Sequence, residues 1–127
     1  MEIQRKPKLF FDQDQSPRSV TFDDGTRWMR SLPWARFAEA VWDYTDPASF
    51  RVEIGDWQVV ICGHNLGPLF EAIETARLQR VLAHPEFADD PARESDVFAT
   101  SIRFVHLSAL AGLGKEKPRP QLDLDLA

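Results

Sequence analysis

The chain has 127 residues, 43% hydrophobic and 28% charged, with nine Phe and four Trp, so it holds one domain with a real core. Its formal net charge is -5, and an acidic balance argues against direct nucleic-acid binding, which needs clustered Lys and Arg. A single cysteine, Cys62, leaves no disulfide within the chain, and no apolar run reaches the length of a membrane span.

The N-terminal stretch also lacks the apolar core of a signal peptide. The expectation is therefore a cytoplasmic protein with no membrane partner, and the abundance of Ala, Arg and Asp fits a GC-rich bacterium. Residues 1–18 are largely polar, with "KLFF" as the one apolar knot, and read as a loosely ordered leader with Phe10 and Phe11 pinned to the core. "SVTFDDGTRWMRS" is a hairpin signal: Val20 and Phe22 alternate with polar residues, Asp24-Gly25 supplies the turn, and Trp28 begins the return strand. "SLPWARFAEAVWDYTDP" reads as a short helix over about 33–38 and then a strand over about 40–45.

"FRVEIGDWQVVICG" predicts a hairpin about a two-residue Gly55-Asp56 turn, with Ile54 opposite Trp57, Val52 opposite Val59 and Phe50 opposite Ile61. "NLGPLFEAIETARLQRVLAH" predicts a helix of about five turns with Leu66, Leu69, Phe70, Ile73 and Val81 on its apolar stripe. "VFATSIRFVHL" reads as a last strand with Phe98, Ile102 and Phe104 on one face. After "GLG" the composition loses any core pattern, so 111–127 reads as a flexible, disordered tail. The expected fold is α+β over 19–110: an antiparallel sheet of about five strands with one long helix packed on one face.

No catalytic constellation can be assembled from these elements. Cys62 and His64 fall on one side of a continuing strand and mark a possible ligand site at the start of the following helix. They serve equally well as a small strand-end residue and a helix-entry residue. Arg77 and Arg80 lie near the helix stripe and could take an anion, or lay their stems along the sheet with their heads in water. Trp28, Trp34, Trp42 and Trp57 could form a binding platform or a core rim. His64, His84 and His106 are separated in sequence, and no metal spacing or cofactor motif occurs.

The chain closes on "KEKPRPQLDLDLA", a proline-broken stretch followed by leucines alternating with aspartates. Gln121, Leu122, Leu124 and Leu126 resemble the hexapeptide Gln-Leu-x-Leu-x-Leu, by which bacterial proteins dock on the DNA polymerase sliding clamp. The resemblance covers six residues. It implies that the glutamine amide bonds at a pocket mouth and that the leucines fill an apolar groove on the clamp. Asp125 stands where the pentapeptide form of the motif has phenylalanine, so only the hexapeptide form fits. The same alternation would suit a terminal edge strand. The sequence thus points to a non-enzymatic adaptor with a protein partner. The alternative is a small enzyme or ligand-binding domain around Cys62 and His64.

Overall fold

A computed structural model describes residues 10–110 of the chain. Among them eight strands form: β1 (Phe11–Gln13), β2 (Ser19–Asp23), β3 (Met29–Pro33), β4 (Phe37–Val41), β5 (Ser49–Ile54), β6 (Trp57–His64), β7 (Leu78–Leu82) and β8 (Phe98–His106). They make two four-stranded sheets, ordered β1-β7-β2-β3 and β4-β5-β6-β8. Among the described residues, α-helix is confined to α1, Gly67–Glu74, eight residues long, and a helical turn at residues 107–110.

This corrects the expected fold class. The protein is mostly β, built on two sheets rather than one, with no long helix among the described residues. The five-turn helix divides after Glu74. Thr75 Oγ1 donates to the Glu71 carbonyl at 2.9 Å, the Ala76 amide to Ile73 at 3.0 Å and the Arg77 amide to Ala72 at 2.8 Å. These bonds close a Schellman motif around Ala76, whose φ is 54°. The chain then runs out as β7, parallel to β2 and antiparallel to β1. Leu78 and Val81 are buried, whereas Arg77 and Arg80, which would have interrupted a helical stripe, are exposed.

The local hairpins match their sequence patterns more closely. β5 and β6 pair Ile54 with Trp57, Val52 with Val59 and Phe50 with Ile61, and Gly55 in the turn has a φ of 62°. Turn and alternation agree on one register, so all the inward side chains reach the core together. β2 and β3 form the first hairpin, with strand pairing resuming at Met29 rather than Trp28. The segment after β3 is a 3-10 turn, Trp34–Arg36, leading into β4, so the expected short helix is a single turn and the strand begins earlier. Within residues 1–18, β1 adds a strand beside β7, and Phe10 stacks on Phe98 with ring centroids 5.1 Å apart.

Inward residues of both sheets and of α1 form one core cluster, including Val20, Phe22, Val52, Ile61, Leu69 and Val81. Beyond β7 the chain straps the sheets together. The Ala83 amide donates to Asp23 in one sheet at 2.9 Å, and the His84 amide to Ala99 in the other at 2.8 Å. In β8 a bulge changes the facing of the strand. Ser101 pairs with Cys62 but Ala99 pairs with Gly63, leaving Thr100 as the extra residue. Phe98 therefore lies on the face opposite Ile102, not with it as simple alternation predicts. It is buried by Phe10, His64 and Phe87.

Candidate functional site

Cys62 and His64 alternate with core-facing Ile61, so both lie on the outer face of the second sheet. Each has a structural partner there. The Cys62 carbonyl accepts from Thr100 Oγ1 at 3.2 Å, and the His64 ring lies flat on Phe98, centroids 5.0 Å apart and planes within 7°. The entry to α1 is held by Asn65 (φ 52°), whose side-chain amide donates to the Glu94 and Asp96 carbonyls. His84 is 7% exposed, stacks on Phe87 and sits 3.2 Å from Glu86. The Glu86 carboxyl is held below its ordinary pKa by its own backbone amide first and the His84 ring second.

Arg77 and Arg80 do not join that face. Arg80 alternates with buried Val81, projects from the outer face of the first sheet, and lies 3.6 Å from Asp23. Arg77 borders an open groove with Gln13, Asp14 and Gln15. A smaller hollow of about 240 Å³ lies among Val41, Asp43, Asp46, Ser49, Phe50, Arg51 and Val60. Cys62 and His64 thus lie on the second sheet, whereas Arg80 lies on the first and Arg77 immediately before β7. Among the described residues no group of three or more His, Cys, Asp or Glu is placed to hold a metal ion. No described helix is long and apolar enough to cross a membrane.

The tryptophans separate as well. Trp34, Trp42 and Trp57 pack against the core, with Trp34 Nε1 donating to the Leu78 carbonyl at 3.0 Å. Trp28 stays 49% exposed beside Met29, which is 60% exposed. Next to them is a feature that sequence reasoning missed. Arg30 pairs with Phe22 in the β2–β3 register and shares the side of Phe22 and Leu32, so its guanidinium points toward the second sheet. Its Cζ lies 3.8 Å from the Trp57 ring centroid, 5.0 Å from Phe104 and 5.6 Å from Trp28. His106 meets the same Trp57 edge-on at 4.9 Å. The signal was present as the alternation Trp28, Arg30, Leu32, which puts a cation where an apolar residue is expected.

The electrostatics around Arg30 are unbalanced. Its Nε is buried with no acceptor, and no described acid lies within ion-pair distance of it. The acids on neighbouring turns are engaged elsewhere: Asp23 with Arg80, Asp56 with Arg36 at 3.8 Å, and Asp24 with its own loop. Burial disfavours the charged form of Asp24, but amide hydrogen bonds from Arg27, Thr26 and Trp28 outweigh it and lower its pKa below 3.8. Arg27 lies 5.0 Å from the Trp28 ring, adding a second cation to the patch. Such a surface can receive a carboxylate flanked by apolar side chains. The clamp-like residues Gln121, Leu122, Leu124 and Leu126 lie outside the described residues.

No protein-family model matches this chain, and no curated protein or solved structure matches it significantly.

Proposed function

We propose that the chain is a non-enzymatic cytoplasmic adaptor of a bacterium, and that its 121–126 segment docks on the DNA polymerase sliding clamp. The observation that carries this reading is the run Gln121, Leu122, Asp123, Leu124, Asp125 and Leu126 behind Pro118 and Pro120. In an extended peptide, alternate residues share a side, so the three leucines can enter one groove while the aspartates stay in water. Pro118 and Pro120 disfavour a helix that would run from the domain into the segment.

Each leucine buried on a partner contributes about 1.5–3 kcal/mol, from which the cost of ordering the peptide is subtracted. The balance places affinity in the micromolar range, as suits an adaptor that must also release. Calorimetry of the full chain with a bacterial clamp tests this. Binding should weaken at least tenfold in Leu124→Ala and in Gln121→Ala. No heat of binding at several hundred micromolar clamp would overturn the proposal.

A further inference from the structure

We infer that Arg30 and the aromatic side chains around it form a docking site for an acidic, leucine-bearing segment, and that its occupant is the 121–126 segment of the same chain. Three observations converge on this. The first is the unanswered cation: Arg30 stacks on Trp57, its Nε has no acceptor, and the acids nearby are committed to other partners. A guanidinium stacked on an indole keeps a planar edge for a carboxylate. The second is the apolar surface beside it: the Trp28 ring, on the same side of β3 and 5.6 Å from the Arg30 Cζ, is 49% exposed. Asp123 or Asp125 can pair with Arg30 while a neighbouring leucine covers the Trp28 ring.

The third observation is where the described chain leads. The Leu107 amide donates to the Asp56 carbonyl at 2.8 Å, and His106 pairs with Trp57, the ring on which Arg30 rests. Residues 107–110 therefore leave from the side of the molecule that carries the Arg30 site. From Leu110 the ten residues 111–120 reach about 33–36 Å when extended, ample to return to it. Tethering at this length gives an effective concentration of about a millimolar, so a contact too weak to form between separate molecules is populated within one. The charge complementarity agrees: Arg27 and Arg30 on the site, two aspartates in the occupant.

Cis docking would cover the same leucines that the clamp-binding proposal assigns to the clamp, so this consequence rests on that reading: the Arg30 site competes with the clamp for one segment. The docking itself is tested without the clamp. A nitroxide is attached at Ala127→Cys in the full-length Cys62→Ser chain, and amide relaxation is read by NMR. The amides of Trp28, Met29, Arg30 and His106 should lose more than half their intensity. Recovery is expected in Arg30→Gln, in the Asp123→Asn/Asp125→Asn variant and in about 0.5 M salt, which screens the pair. The paired aspartate change touches no described residue, so it separates docking from any effect of Arg30 on folding. Full intensity at those four amides, or quenching that survives the aspartate changes, would overturn the inference. So would equal quenching when spin-labelled and isotope-labelled molecules are separate chains in a mixture, since the occupant would then be a second copy. If docking is seen and clamp binding is not, only the clamp reading falls. If both are seen, Arg30→Gln should tighten clamp binding two- to tenfold, and an unchanged affinity would remove the competition.

Discussion

Gly63→Ala tests whether the bulge that turns Phe98 outward is held by backbone contact. A Cβ at Gly63 would run into the Phe98 carbonyl oxygen and stand 2.8 Å from Ala99 Cα and 3.0 Å from the Phe98 carbonyl carbon. These are backbone atoms of the neighbouring strand, so no side-chain rotation relieves them. Either β6 and β8 separate at the Gly63–Ala99 and His64–Phe98 pairs, or the bulge moves along the strand. Overpacking of this kind costs about 1–3 kcal/mol, and each ladder hydrogen bond lost costs about 1 kcal/mol more. A total near 3 kcal/mol would lower the melting temperature of a domain this size by roughly 10 °C. Gly55→Ala is the control. Its φ of 62° strains any other residue by about 1–2 kcal/mol, but the added Cβ would meet nothing nearer than the Arg36 side chain at 3.7 Å. Urea unfolding followed by circular dichroism should therefore rank Gly63→Ala as the costlier change. If the two variants unfold at the same urea concentration, the close approach of β6 to β8 is not what fixes the bulge.

Two other changes probe the elements that set the fold. Ala76→Gly should raise stability by about 0.5–1 kcal/mol, because glycine relieves the left-handed strain at φ 54° and gives back part of the gain as unfolded-chain entropy; a lower melting temperature would refute the cap assignment. Asp24 has a folded pKa below its ordinary value, so its contribution is present above the unfolded pKa and is lost as pH falls through the folded one. Asp24→Ala should thus destabilise by about 1 kcal/mol at pH 7, and the difference from the parent should shrink as pH falls through the folded pKa; a pH-independent difference in melting temperature would mean that the ionised carboxylate is not what orders the loop.

The β5–β6 hairpin was legible in the sequence because its determinants are local: a glycine in a two-residue turn and an alternation that agree on one register. The first hairpin was legible for the same reason. Residues 78–82 were not. Leu, Gln and Arg favour a helix, and what draws "LQRVL" into a strand is a parallel partner, β2, far back in the chain. The thinning of the apolar stripe after Ile73 and the arginines at 77 and 80 marked the break, but only pairing with β1 and β2 converts it into β7. Candidate site residues fared likewise. Sequence placed Cys62 and His64 on one strand side, which alternation alone decides. It could not keep Arg77 and Arg80 from the other sheet, nor bring Arg30 onto Trp57 and Phe104, because those relations depend on how two sheets pack. Pattern along the chain specified which side chains share a face. Tertiary packing decided which faces meet, since a contact between sheets depends on residues whose separation in sequence no local periodicity records.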